Sequence, residues 1–201
     1  MGKIERLKVK EIPEIIPAFL EPLAALQRLS ARFNGRGVII GGIAASLLGK
    51  PRLTYDIDAL FLISIEEINN LVIAAREEGI ETRIEDAEVF ARKHRVLLLR
   101  HSRSNINIDI SLGILPFEEE LVEKSSLHQV GSISIRLPTT EDLIIMKAVA
   151  HRQQDLQDIR ALVEIHPELD QKRIEYWVSQ FAEVFEMPEL WKDIEDLFNP
   201  E

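Results

Sequence analysis

The chain has no cysteine among its 201 residues, which removes disulfides and thiolate metal sites from consideration. It also lacks any apolar run of the eighteen or so residues that a bilayer-spanning helix needs, and the opening "MGKIERLKVKEIPEII" has no signal-peptide core. Both point to a cytoplasmic protein away from membranes. Internal repeats and low-complexity tracts are missing. The five histidines, His94, His101, His128, His151 and His166, match no zinc spacing. Positive charge is scarce too: 24 Lys and Arg against 34 Asp and Glu leave a net charge of −10. That balance argues against sequence-independent coating of nucleic acid.

The charge is uneven. Residues 167–201 hold ten acids and three bases, whereas 92–103 ("RKHRVLLLRHSR") hold five Lys or Arg and no acid. The basic run is either a groove for phosphates or a hairpin with a solvated basic face. Hydrophobic residues at 46% and charged residues at 29% are those of an ordinary globular chain, long enough for one domain and a small annex.

Apolar residues at helical spacing (Ile15, Phe19, Leu23, Leu26, Leu29) predict a helix through the opening residues to about Phe33, despite Pro17 and Pro22. "RGVII" reads as a buried strand ended by Gly41-Gly42, "IAASLLG" as a helix, and "DIDALFLI" as the next strand. "SIEEINNLVIAAREEG" is an amphipathic helix with Ser64 as N-cap and Glu67 closing a capping box. "RVLLLRHSRSNINIDISLGI" predicts a hairpin, followed by an acidic helix after Pro116 and a strand at "GSISIRL". From Thr139, with its own capping box to Asp142, the remainder is helical. Strands followed by helices predict an α+β fold, a mixed β-sheet flanked by helices and then a C-terminal helical region. The boundary falls at Pro138, giving regions 1–138 and 139–201. Trp177, Phe181 and Phe185 at helical spacing predict core or dimer packing, and the amphipathic C-terminal helices suit a homodimer.

Chemistry is concentrated around "GGIAASLLGKPRLTYDIDALF". Asp56 and Asp58, two apart on a strand, project from one face, where like charges repel unless a cation is shared. Hard oxygen ligands favour Mg²⁺ or Mn²⁺. The simpler alternative is a pair of solvent-facing aspartates at a strand start. In "NINIDIS", Asn105, Asn107, Asp109 and Ser111 share a face opposite three isoleucines, so Asp109 completes a triad if its strand neighbours "DIDALF". Three aspartates can hold two divalent ions about 3.5–4 Å apart, as in-line phosphoryl displacement requires. Gly41-Gly42 between strand and helix allows close backbone approach, and the helix start attracts phosphate. Ser46, one turn into that helix, either supports a phosphate or packs as a small residue.

These residues resemble the glycine pair and D-x-D signature of the nucleotidyltransferase superfamily that shares the polymerase-β core. "PRLTYDID" is similar to the form found in AbiEii-like and related toxin–antitoxin nucleotidyltransferases, and "LPTTEDLIIMKAVAHRQQDLQDI" to their later helical motif. The resemblance spans about residues 38–159. It implies that Gly41 and Gly42 contact nucleotide phosphates and that Asp56, Asp58 and Asp109 ligate Mg²⁺ or Mn²⁺. Arg52 and Thr54 would brace the triphosphate, Lys147 would be the basic, catalytic residue of the helical motif, and Arg152, Asp155 and Asp158 its nucleotide-binding continuation. Gln154 stands where relatives carry a basic residue, a departure that bears on the acceptor. On the residues alone, Asp155 and Asp158 also read as exposed acids early in a helix, and Lys147 as a stem lying along the core.

The implied activity is transfer of a nucleoside monophosphate from an NTP to a hydroxyl on a tRNA 3′ end or a protein. A cognate toxin or antitoxin partner belongs to that picture. A non-catalytic antitoxin-like module that binds nucleotide or a partner is the alternative, and a two-metal nuclease a third.

Overall fold

A computed structural model describes residues 4–5 and 16–198. The strands are β1 (Ile4–Glu5), β2 (Gly37–Ile40), β3 (Asp56–Phe61), β4 (Ile80–Thr82), β5 (Val96–His101), β6 (Asn107–Leu112), β7 (Ser126–Val130) and β8 (Ile133–Leu137). The α-helices are α1 (Ile16–Arg32), α2 (Gly41–Leu48), α3 (Ile68–Glu77), α4 (Ala87–His94), α5 (Pro116–Lys124), α6 (Thr140–Ala150), α7 (Gln153–Ile165), α8 (Gln171–Phe185) and α9 (Glu189–Glu195). Among the described residues no helix is long and apolar enough to cross a membrane.

Two compact units result. One takes the described residues up to Ile43 together with Arg52–Pro138; the other takes Ala44–Pro51 and the residues from Thr139 onward. Segment 44–51, grouped with the strands in the sequence reading, therefore sides with the helices. Within that second unit the His166 ring bonds the Leu48 carbonyl (2.6 Å) and Lys50 pairs with Glu164 (2.6 Å).

The first unit is built on a five-stranded mixed sheet in the order β2-β3-β6-β5-β4. β3 and β6 run parallel at its centre, and every other pairing is antiparallel. Alternation decides which face is buried. Ile57 and Ala59 of β3, Ile108 and Ile110 of β6, and Leu97 and Leu99 of β5 are all fully buried. The opposite face carries Asp56, Asp58, Asn107 and Asp109, each only partly covered. A separate three-stranded sheet has the order β1-β7-β8.

α1 tolerates Pro22 within its span and buries Phe19, Leu23, Leu26 and Leu29, the expected stripe. Ile15 lies outside the described residues. Ile4–Glu5, read as helical from the sequence, instead pairs with β7 as a two-residue parallel strand. So short a strand exists only through its partner, which no local pattern announces. The capping box forms on the 3₁₀ turn Ile65–Glu67 that precedes α3, the Glu67 carboxylate accepting from the Ser64 N–H (3.1 Å). Arg36 bonds the same side chain (2.8 Å), and these contacts hold its carboxyl below the usual range.

The second unit packs Leu143, Ile144, Ile145 and Ala148 of α6 with Ile159 and Leu162 of α7, Ile174, Val178 and Ala182 of α8, and Leu190 and Ile194 of α9. Thr139 caps α6 by accepting from the Asp142 N–H (3.1 Å). The aromatic row is not the core of α8. Phe181 and Phe185 stack with centroids 6.1 Å apart, and Phe185 is half exposed.

Candidate active site

Asp56 opens β3 and Asp58 follows two residues later, so both point to the less covered face of the sheet. β3 and β6 pair in register: Asp56 lies opposite Asn107, and Asp58 opposite Asp109. The neighbouring-strand requirement for a triad is therefore met at the backbone. Asn107 is in turn oriented by Arg100 of β5, whose Nε donates to its Oδ1 (3.0 Å).

The glycine turn abuts these carboxylates. Ile40, the last residue of β2, is the register partner of Asp58, so the next residue, Gly41, starts α2 beside that side chain. Gly41 sits at φ +63°, and a Cβ there would collide with the Asp58 carboxylate. A Cβ at Gly42 would come within 2.7 Å of Thr54 Oγ1 and 3.3 Å of Arg52 Nη2. The loop that carries Arg52 and Thr54 thus folds down onto the turn. Thr54 Oγ1 also donates to Asp56 Oδ1 (3.1 Å), fixing the first carboxylate. Leu53 and Tyr55, the alternate residues of this loop, are 72% and 82% exposed.

Asp109 has a different neighbour. Arg83 Nη2 donates to its Oδ1 (2.9 Å). Desolvation pushes the Asp109 carboxyl above its ordinary range; Arg83 opposes the rise and the charge of Asp56 adds to it. Arg83 was not among the residues singled out by sequence. It stands just past β4, where its N–H bonds the Leu98 carbonyl (3.0 Å), and Leu98 is the register partner of Asp109. Only strand pairing brings residues 83 and 109 together.

Among the described residues no three carboxylate or imidazole groups converge on a point where they would ligate one metal ion. The donor set still suits a hard divalent cation: two carboxylates on one strand face, a third in register on the next strand, and a glycine at the one place where a side chain would fill the space beside Asp58. Asp56 and Asp58 fit such an ion as a pair, and Asp109 is engaged by Arg83.

The helical motif lies in the second unit. Lys147 is 3% exposed, and its Nζ donates to Asp155 Oδ1 (3.0 Å) and Asp158 Oδ2 (2.6 Å). Asp155 also accepts from Arg152 Nε (2.6 Å). Burial works against the Asp155 charge, but the bonds from Arg152 and Lys147 outweigh it and hold the carboxyl below its usual range. These aspartates are thus buried partners of a lysine, not exposed acids. Ser46 is 2% exposed within α2. The basic run is spread over several settings: Arg92 and Lys93 end α4, Arg95 bonds the Leu112 carbonyl, and Arg103 pairs with Glu21 (3.0 Å).

A family model described as "Nucleotidyltransferase of unknown function (DUF6036)" matches residues 19–193. No curated protein matches significantly. Among solved structures, the antibiotic-resistance factor ANT(2'')-Ia superposes with a TM-score of 0.55 at 16% identity, over 87% of this chain and 95% of that one. An antigenic nucleotidyltransferase-like protein from Paracoccidioides brasiliensis aligns over 88% of this chain and 92% of its own, with a TM-score of 0.49 and 13% identity. At 16% identity the likeness to ANT(2'')-Ia is one of fold.

Proposed function

The chain belongs to the family of nucleotidyltransferases of unknown function (DUF6036), whose model spans most of it, and we propose that it works as a metal-dependent enzyme at the Asp56–Asp58–Asp109 face. The reaction is transfer of a nucleoside monophosphate from an NTP to a hydroxyl acceptor. The acceptor oxygen bonds to the α-phosphorus, the bond from that phosphorus to the bridging oxygen breaks, and pyrophosphate leaves. Gly41 and Gly42 offer backbone N–H groups at the start of α2 to the phosphates, and Arg52 and Thr54 close over them. Asp56 and Asp58 would hold Mg²⁺ or Mn²⁺, whose charge offsets that of the triphosphate and of the leaving pyrophosphate. Asp109, raised in pKa by burial, is suited to take the hydroxyl proton.

The observation that carries this reading is the register pairing of Asp58 with Asp109 beside a turn where only glycine fits. In the helical motif, Lys147, Asp155 and Asp158 serve as the scaffold. The acceptor is a tRNA 3′ end or a protein hydroxyl, in a toxin–antitoxin setting.

The test is incubation with each α-labelled NTP, Mg²⁺, and total tRNA, lysate protein or an aminoglycoside as acceptor. Label should move to one acceptor class, and Asp58→Asn should reduce transfer by roughly 100-fold or more. NTP binding with no transfer to any acceptor would instead identify a non-catalytic binding module.

A further inference from the structure

We infer that Arg100 binds a phosphate group on the acceptor, beside the hydroxyl that receives the nucleotide. This inference rests on the nucleotidyl-transfer reading given above and narrows its acceptor to a phosphate ester.

Strand register places the residue. In β5, Leu97, Leu99 and His101 point into the core, so Arg100 projects from the other face, the one that carries Asp56, Asp58 and Asp109. Arg100 stands opposite Asn107 of β6, and Asn107 opposite Asp56 of β3, so the three make one row across the sheet. The order β2-β3-β6-β5 puts the glycine turn on one flank of the carboxylates and Arg100 on the other. With about 4.8 Å between neighbouring strands, β5 lies roughly 10 Å from β3. Arg100 is therefore set apart from phosphates cradled at Gly41 and Gly42, on the Asp109 side, where the acceptor hydroxyl belongs.

Its bonding leaves its charge available. Nε donates to the neutral Asn107 Oδ1 (3.0 Å), which aims the guanidinium and leaves both Nη groups for a ligand. Glu81 is the register partner of Arg100 on β4, yet among the described residues the two form no ion pair. Arg83, by contrast, is engaged by Asp109 (2.9 Å). The chain carries a net charge of −10, so carboxylates are plentiful, and Arg100 is exposed and turned to an amide instead. Its planar fork of N–H groups matches a phosphate bidentately. A polycationic acceptor would be repelled there. An RNA 3′ end always brings the required group, the phosphodiester on the 5′ side of its terminal ribose.

The probe is a short single-stranded RNA with a free 3′ hydroxyl and a 5′ fluorophore, titrated with the full chain and read by fluorescence anisotropy. Arg100→Gln should weaken binding about tenfold or more. It should also flatten the salt dependence by one phosphate contact, a slope change of about 0.7 for a single strand. Replacing the last phosphodiester with an uncharged methylphosphonate should weaken binding to the wild-type chain as much, and binding to Arg100→Gln no further. The modified RNA tests the contact without altering the protein, so it decides the matter even if Arg100→Gln folds poorly. Ribose 5-phosphate, followed by calorimetry, is the second arm. If it binds with the same dependence on Arg100 while the RNA does not, the phosphate belongs to a small acceptor. Binding of both probes alike to wild type and Arg100→Gln, or of neither to wild type, would overturn the role of Arg100. Label transfer from NTP that Asp58→Asn removes would still uphold nucleotidyl transfer in that case. If no label reached any acceptor, that reading would fall and take the acceptor role with it.

Discussion

Two groups of acidic side chains, one in each unit, meet burial in opposite ways. Asp155, 1% exposed between Lys147 and Arg152, is more acidic than an ordinary aspartate. Asp109, better exposed and paired with Arg83, is less acidic. Burial alone would order them the other way. The difference lies in company: two cations converge on Asp155 and outweigh its desolvation, whereas Arg83 alone does not offset the desolvation of Asp109, to which the charge of Asp56 adds. A buried charge with a full set of partners is held ionised, and removing one partner strands the others at a large cost. A carboxylate whose one cation does not offset its desolvation has a perturbed pKa, and such sites are where function is to be sought.

The largest expected effect breaks the satisfied group. Lys147→Ala leaves Asp155 and Asp158 buried without their shared cation, and should cost about 3–5 kcal/mol of stability in urea denaturation. Asp58→Asn, in the sheet group, should stay within about 0.5–1 kcal/mol of wild type while losing transfer. If both variants were equally destabilised, the division between scaffold and site would be wrong.

A pH titration probes the same contrast less drastically. The folded-state pKa of Asp155 is depressed. Its contribution to stability is therefore present above the unfolded-state value near 4 and is lost as pH falls through the folded-state value. In metal-free buffer, the gap in urea midpoint between wild type and Asp155→Asn should be widest at neutral pH and narrow below pH 4. A gap that did not change with pH would mean that packing, not charge, is what Asp155 supplies.

The legibility of these two groups in the sequence differs for a physical reason. Alternation in "DIDALF" and "NINIDIS" puts Asp56, Asp58 and Asp109 on one face whatever the rest of the chain does, and the glycine pair marks the turn before them. The pairing of β3 with β6 had to be supposed, since no local pattern chooses a strand's neighbour. Arg83 was out of reach for that reason: its contact with Asp109 runs from the end of β4 across β5 to β6, and β4 has only three residues. β7 and α4 were missed as well, being short elements whose order comes from what they pack on. In the helical unit the elements were plain from their periodicity. The partners of Lys147 were not, because spacing along α6 and α7 does not say how two helices face each other.

The smallest expected effect is the coupling between the glycine of the turn and the carboxylate beside it. Gly41→Ala must place an L-residue at φ +63°, at a cost of roughly 1–2 kcal/mol. Its Cβ must also displace the Asp58 carboxylate. The two costs separate in a double-mutant cycle. In the Asp58→Ala background the collision is gone and only the backbone term remains, so Gly41→Ala should be less destabilising there than in wild type. Urea denaturation of the four proteins reads the coupling directly. An additive result would mean that the Asp58 side chain swings away freely, and the close fit of glycine and carboxylate would then carry no weight in positioning the site.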